Sequence, residues 1–259
     1  MAEVIVLDAA GQQLSACSVQ KARKMLAEGR AKLVSEAPFT IQLSYGVALK
    51  LPPQAMSAHK PGEGRRLLLH ICCGPCSTYT IKRLQEQLFE VTGFWYNPNI
   101  HPFAEHERRR ECAEAYAQEI GLPMIWSEGY EMPDYFRAVA GHDVFGERCT
   151  ICYELRLKRT AQVAQQLGFH AFTTTLLISP HQQQAVIHQI GEGLAGRYGL
   201  EFYFENLRKG WSERGQMARE HNLYQQRYCG CVYSEWEASQ QRLARCTPPT
   251  ARHEQKGRT

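Results

Sequence analysis

The sequence predicts an α/β protein with a three-layer parallel sheet, preceded by a small α+β domain. From residue 65 onward, short apolar runs alternate with helical patterns, which is typical of βαβ units with helices on both faces of a sheet. Residues 46–64, rich in proline and glycine, have the composition of a linker and separate this part from the first 45 residues. With 44% hydrophobic and 22% charged residues among 259, the composition excludes the disordered and fibrous classes.

The first 45 residues predict a compact β-α-β-β unit. Ser18 is a good helix N-cap, and the helical pattern that follows it ends at Gly29. Residues 8–11 have turn chemistry and separate the first strand from this helix. The predicted strands cover residues 3–7, 31–34 and 38–43.

Residues 65–241 form the predicted large domain, in which strands and helices alternate. Ligands of such sheets gather at the carboxyl ends of the strands, so polar residues at those ends are the candidates for function. The last segment, 242–259, is a predicted basic tail. The predicted strands are 66–71, 94–96, 123–126 and 171–177, and the predicted helices are one capped by Ser77 and those at 105–120, 152–167 and 181–197.

The apolar runs are far shorter than the roughly 20 residues that a membrane span needs, and the N-terminus does not resemble a signal peptide. We therefore expect a cytoplasmic protein with no membrane contact. Formal net charge is +4, with the basic excess at the two ends of the chain. Basic ends favour contact with a polyanion, although such tails are often only solubilising.

Ten cysteines are unusual for a chain expected in the reducing cytosol, where disulfides do not persist. Three lack close partners: we interpret Cys17 and Cys112 as packing residues and Cys246 as incidental. The other seven form three groups, which predict metal binding or redox chemistry. They are Cys72, Cys73 and Cys76 at a strand end, Cys149 and Cys152 at a helix start, and Cys229 and Cys231 near the C-terminus.

Seven thiols exceed the needs of one site, since zinc or an iron-sulfur cluster is held by four. A second metal or a redox thiol is therefore implied. In the structural alternative, one CxxC pair and the CxC pair hold a zinc ion while Cys72 and Cys73 are buried core thiols.

At these cysteines the chain resembles the QueH type of epoxyqueuosine reductase, an enzyme that completes queuosine in the anticodon of transfer RNA. The resemblance spans about Leu67 to Trp236. It is carried by LLHICCGPCS at 68–77, WYNPNIHP at 95–102, RCTICYELRL at 148–157, TTTLLISP at 173–180 and YCGC at 228–231.

The resemblance implies a HUP-like fold, a 4Fe-4S cluster, an additional iron ion and cobalamin-independent removal of the epoxide oxygen at the wobble position. It also implies an external electron donor, either a protein or a small reductant. All seven grouped cysteines become metal ligands, with their partition between cluster and iron left open. Cys76 is the best candidate for the lone iron, because some members of the family are acidic at this position, and we expect Cys73 and Cys76 to be catalytic.

A flipped anticodon base needs aromatic stacking and edge hydrogen bonds, and hydroxyl and guanidinium groups suit ribose and phosphate. Arg156 follows Cys152 by one helical turn, which suits it to offset cluster charge. The predicted substrate-binding residues are Tyr96, Asn97, Asn99, Arg109, Arg156, Thr174, Thr175 and Ser179.

The first 45 residues are similar to a small RRXRR-type domain, with VIVLDAAGQQL at 4–14, ARKMLAEGRA at 22–31 and PFTIQL at 38–43. Its basic helix carries Lys21, Arg23 and Lys24, followed by Arg30. These residues either contact transfer RNA or form a solvated face.

Two other functions compete with this interpretation. One is a sulfur-transfer enzyme of transfer RNA with the same fold class, which should carry a glycine-rich phosphate loop where Cys72–Cys76 stands. The other is a non-catalytic zinc protein that binds RNA through its basic ends.

Overall fold

The computed structural model describes residues 3–7, 13–43 and 64–246. It contains a four-stranded sheet near the N-terminus and a five-stranded parallel sheet flanked by helices, which confirms the predicted fold class. The turn at 8–11, nearly all of the linker at 46–64 and the end of the basic tail lie outside the described residues.

The N-terminal unit is a mixed sheet with one helix and its own apolar core, which includes Val4, Ala22 and Ile41. The Ser18 hydroxyl accepts a hydrogen bond from the backbone N–H of Lys21 at 3.4 Å, so the predicted N-cap is confirmed. The elements are β1 (Glu3–Leu7), β2 (Gln13–Ser18), α1 (Val19–Ala27), β3 (Ala31–Glu36) and β4 (Phe39–Leu43), in sheet order β2-β1-β4-β3. Strand β2 was not predicted, because its polar sequence depends on antiparallel pairing with β1.

All strand pairs of the main sheet are parallel, and their order is β7-β6-β5-β8-β9. The central strand is covered on both faces, and its Leu67, Leu68 and Leu69 are fully buried. The elements are β5 (Arg65–His70), α2 (Gly74–Glu86), β6 (Phe89–Trp95), α3 (Phe103–Glu119), β7 (Met124–Trp126), α4 (Met132–Val139), α5 (Glu147–Gln166), β8 (Ala171–Thr174), α6 (Gln184–Tyr198), β9 (Glu201–Phe202), α7 (Trp211–Glu220) and α8 (Val232–Cys246).

The strand order reverses between β5 and β8. Strands β6 and β7 lie on one side of β5. The chain then crosses back, so that β8 and β9 lie on the other side. Crossover helices leave a crevice at such a reversal, outside the carboxyl ends of the two strands. Residues 71–76 follow β5 into this crevice, and Thr175 enters it directly after β8.

Local chemistry explains where the prediction and the structure differ. Cys73, not Ser77, caps α2: its sulfur accepts from the backbone N–H of Cys76 at 3.4 Å, while the Ser77 hydroxyl donates to the Gly74 carbonyl. Strand β8 stops at Thr174 because the chain tightens there into a 3-10 turn. Helices α4, α7 and α8 and strand β9 were not predicted, and α8 extends into the segment predicted as tail.

Within the described ranges, no helix combines the length and the apolar character needed to cross a membrane.

Two glycines of α6 give a matched test of this packing. A Cβ on buried Gly191 would lie 2.2 Å from the Phe202 ring, whereas a Cβ on exposed Gly196 would meet nothing within 4 Å. We expect Gly191→Ala to lower the free energy of unfolding by about 1–3 kcal/mol through overpacking. Gly196→Ala should raise it by about 0.5–1 kcal/mol, because alanine is the better helix former. Urea unfolding measures both, and an equal effect at the two sites would contradict the packing of α6 on β9.

Candidate metal centre

Three thiols converge at the start of α2. The sulfurs of Cys72 and Cys73 are 3.8 Å apart, and all pairs among Cys72, Cys73 and Cys76 lie within 4.8 Å. Tetrahedral coordination with metal–sulfur bonds of about 2.3 Å separates sulfurs by about 3.8 Å. The three-thiol group therefore has the spacing of a single-ion site, and three ligands leave one position for another group.

Thr175 fixes Cys72 from the neighbouring strand. Its hydroxyl oxygen accepts from the Cys72 backbone N–H at 3.1 Å and its hydroxyl donates to the Cys72 sulfur at 3.2 Å. Hydrogen bonding with Cys73 and Cys76, and then with Thr175, holds the pKa of Cys72 well below its usual range. The pKa of Cys73 is raised by burial, and that of Cys76 is raised to about 12, mainly by its hydrogen bond to Cys72.

The four-thiol group consists of Cys149 and Cys152 in the first turns of α5, and of Cys229 and Cys231 before α8. Burial raises the pKa of Cys149, Cys152 and Cys229, and it brings that of Cys152 to about 12. The neighbouring thiols of the group raise these pKa values further. In the described part of the chain, only the three-thiol group has three or more ligand atoms within 4.8 Å of one another. A wider spacing is expected of a cluster, since each cysteine binds a different iron.

Buried Arg156 supports an anionic occupant beside the four-thiol group. Its side chain is 2% exposed, its Nε donates to the Cys152 carbonyl at 3.1 Å, and its Nη2 has no partner among the described residues. Its positive charge lowers the pKa of Cys152 and of Cys229. A buried guanidinium without a carboxylate partner is costly unless another anion compensates it. A thiolate-bound cluster supplies such an anion, so the donor set fits the group.

Arg109 holds the loop that carries Cys229. This arginine is 1% exposed, and it donates to the carbonyls of Cys229 at 2.8 Å and Tyr228 at 3.1 Å. Its Nε donates to Glu105 at 2.7 Å. Arg109 therefore positions the loop that carries a thiol, and its expected part in substrate binding stays a prediction.

The loop after β6 carries Tyr96, Asn97 and Asn99, all of them buried. The Asn97 amide donates to the Ile71 carbonyl at 2.9 Å, which ties this loop to the three-thiol loop. The side-chain oxygens of Asn97 and Asn99 have no hydrogen-bond partner among the described residues. Ser179 is half-buried and follows the 3-10 turn after β8. Its hydroxyl accepts a hydrogen bond from the His181 backbone N–H at 3.2 Å.

His70 was missed by sequence reasoning, because it lies within the predicted strand 66–71 and forms no metal-ligand spacing with another histidine. It is fully buried, with Nδ1 2.9 Å from the Thr174 hydroxyl and Nε2 3.1 Å from the Tyr96 carbonyl. Burial, and then the charge of Arg156, lowers the pKa of His70 to about 4, so the ring is neutral at pH 7. His70 thereby links the carboxyl ends of β5, β6 and β8. Thr174 is its partner on β8.

Other missed residues are polar side chains that donate to cysteine sulfurs. The Gln182 amide donates to the Cys229 sulfur at 3.4 Å, and the Gln226 amide donates to the Cys73 sulfur at 3.1 Å. A guanidinium nitrogen of Arg214 lies 4.0 Å from the Cys76 sulfur. No sequence spacing links these residues to the cysteines.

Neighbouring arginines of α3 test the role of Arg109. Arg109→Met leaves the Glu105 carboxylate and two carbonyls without their buried partner, so we expect the free energy of unfolding to fall by about 3–5 kcal/mol. Arg108 is exposed and only stacks 4.6 Å above Tyr224, so Arg108→Met should cost less than about 1 kcal/mol. Urea unfolding of the metal-free chain compares them. A small loss for Arg109→Met would mean that the loop does not depend on this guanidinium.

Comparisons with known proteins agree with this arrangement. Residues 67–237 match the family model described as Epoxyqueuosine reductase QueH, and residues 4–63 match the model described as RRXRR protein. The epoxyqueuosine reductase QueH of Dehalococcoides mccartyi is 44% identical over 172 residues, covering 66% of this chain and 93% of that protein. That of Thermotoga maritima is 38% identical over 175 residues, covering 65% and 89%. That of Acinetobacter baylyi is 34% identical over 193 residues, covering 70% and 88%. Both resemblances noted in the sequence are thus confirmed, and the chain belongs to the QueH epoxyqueuosine reductase family.

Proposed function

We propose that this protein reduces epoxyqueuosine at the wobble position of a transfer RNA anticodon to queuosine. The observation that carries the proposal is the convergence of seven thiols at the carboxyl edge of the sheet, in one group of single-ion spacing and one wider group. Family membership gives the substrate class. Since transfer RNA is the substrate, we place the enzyme in the cytoplasm.

We further propose that Cys72, Cys73 and Cys76 hold the additional iron, and that the four-thiol group holds a 4Fe-4S cluster. The sulfur spacing of the first group and the buried charge of Arg156 beside the second support this partition. When bound, these groups supply one-electron transfer and a Lewis acid for oxygen.

The reaction balances as one epoxide, two electrons and two protons giving an alkene and water. The electrons come from an external donor, a protein or a small reductant, in a cobalamin-independent reaction. Cys73 and Cys76 are the proposed catalytic residues, because they lie in the group that leaves a coordination position for another ligand.

The chain's own contribution is to bind and orient the modified base. Tyr96 offers an aromatic ring, and Asn97 and Asn99 carry the unsatisfied amide oxygens of the loop after β6. An unsatisfied buried polar group costs roughly 1–3 kcal/mol. A donor on the substrate would relieve this cost, which favours the two asparagines as substrate-binding residues. Thr175 and Ser179 follow β8 and are the proposed substrate-binding residues on that side. Thr175 also orients Cys72.

The N-terminal unit is proposed to contact transfer RNA through α1. Lys21, Arg23 and Lys24 are exposed there, and Lys24 lies 3.8 Å from Glu28. Phosphate contacts of this kind give affinity without sequence specificity.

Metal analysis is the first test of the proposed function. Anaerobically purified protein should contain about five irons and four sulfides per chain, with a brown colour that dithionite bleaches. The same preparation should convert epoxyqueuosine transfer RNA in the presence of a reductant. One or two zinc ions without sulfide, persisting after reconstitution with iron, would instead favour the structural zinc protein.

Substitution of one thiol tests the partition. Cys76→Ser should abolish turnover and lower the iron content by about one per chain, because a neutral hydroxyl replaces a thiolate ligand. The cluster absorbance should be mostly retained. Cys112→Ser is the matched control, since Cys112 is a half-buried thiol of α3 outside both groups. Turnover near wild type in Cys76→Ser would remove this residue from the mechanism.

Removal of residues 1–60 tests the N-terminal unit. We expect weaker binding of transfer RNA and a shallower dependence of affinity on salt, because phosphate contacts are lost. Fluorescence anisotropy at several salt concentrations measures both. Unchanged affinity across that range would exclude the unit from RNA binding.

A further inference from the structure

The three-thiol group is flanked by two polar side chains that come from a distant part of the chain. Arg214 lies on α7, and Gln226 lies in the loop that leads to Cys229. They are 138 and 150 residues from Cys76 in the sequence. Neither has a part in the function proposed above.

Gln226 donates through its amide nitrogen to two sulfurs. The nitrogen lies 3.1 Å from the sulfur of Cys73 and 3.8 Å from that of Cys76. The amide oxygen is buried and has no partner in the described part of the chain. The side chain is therefore held by the sulfurs it faces, and its hydrogen bonds to them become stronger when those sulfurs are ionised by a bound metal.

Arg214 supplies a buried positive charge to the same group. The residue is 7% exposed, and its guanidinium stacks 4.4 Å above the Trp211 ring. It makes no ion pair with a carboxylate of the described residues, and its Nε has no partner there. The Cys76 sulfur, 4.0 Å from Nη2, is the acceptor that faces this guanidinium.

The two thiol groups thus carry equivalent surroundings. Arg156 and Gln182 accompany the four-thiol group, with Gln182 donating to the Cys229 sulfur. Arg214 and Gln226 accompany the three-thiol group, although Arg214 faces a sulfur whereas Arg156 donates to a carbonyl. Each set combines one buried guanidinium with one amide donor to sulfur, which is the arrangement that stabilises metal-bound thiolates.

We propose that Arg214 and Gln226 are positioning residues of the three-thiol group, orienting the sulfurs of Cys73 and Cys76 toward one metal ion. This inference rests on the proposed metal site at these thiols and is independent of the reaction on epoxyqueuosine. Removal of such surrounding partners typically lowers metal affinity by about 10–100-fold.

The test uses Co²⁺, whose thiolate charge-transfer absorption reports binding, in two backgrounds of the full-length metal-free chain kept anaerobic. Cys149→Ser/Cys152→Ser retains the three-thiol group, and Cys73→Ser/Cys76→Ser retains the four-thiol group. Arg214→Met and Gln226→Leu should each lower Co²⁺ affinity by about 10–100-fold in the first background. They should leave the affinity in the second background unchanged. Arg214→Lys should restore most of the loss, because it keeps the charge.

Neighbouring residues give matched controls. Arg219→Met changes an exposed arginine of the same helix, and Gln225→Leu changes the exposed residue beside Gln226. Both should bind Co²⁺ as their background does. Circular dichroism shows whether Arg214→Met folds. If it does not, the test relies on Gln226→Leu, at a half-buried position, and on its control Gln225→Leu.

An unchanged affinity in the first background overturns the proposal. An equal loss in both backgrounds also overturns it, because the role would then be general packing. If the first background binds no Co²⁺ even without further substitution, the three-thiol group is not a metal site. The inference is then wrong as well. Loss of activity toward epoxyqueuosine alone would bear only on the proposed reaction.

Discussion

The parallel pairing of β5 with β8 is the constraint on which the site depends. Its register sets His70 opposite Thr174, and their side chains are hydrogen-bonded at 2.9 Å. The next residues on each strand are then forced into the same crevice, where Thr175 meets both the backbone and the sulfur of Cys72. A shift of β8 by one residue against β5 would turn the Thr174 side chain to the face opposite that of His70. The three-thiol group is therefore placed by strand pairing as much as by its own sequence.

Charge compensation is the second requirement. Burial raises the pKa of most of these thiols, so gathering them is unfavourable for thiolates unless cations are present. The fold places two buried guanidiniums at the site, Arg156 on α5 and Arg214 on α7. Neither forms an ion pair with a carboxylate among the described residues. Their location indicates that the interior is built around negative charge at sulfur.

The CxC loop, residues 229–231, depends on contacts with α3 and with the loop after β6. Arg109 donates to its carbonyls, and the backbone N–H of His101 donates to Gly230 at 2.8 Å. A Cβ at position 230 would lie 3.2 Å from Ile100, so glycine allows this close approach. The loop after β6 thus contacts both thiol-bearing loops, through Asn97 on one side and His101 on the other.

The sequence by itself determined the elements that local patterns encode. The apolar run ending at His70, the Ser18 cap and the grouping of the cysteines each depend on neighbouring residues, and the motif blocks identified the family. Only the tertiary structure decided which thiols lie at single-ion spacing, because that distance depends on how the loop after β5 turns into α2. It also decided that Arg109 is buried on the Cys229 loop, and that Arg214 and Gln226 face sulfurs more than a hundred residues away. Such contacts arise from the packing of α7 and the final loop against α2, and no local periodicity encodes them.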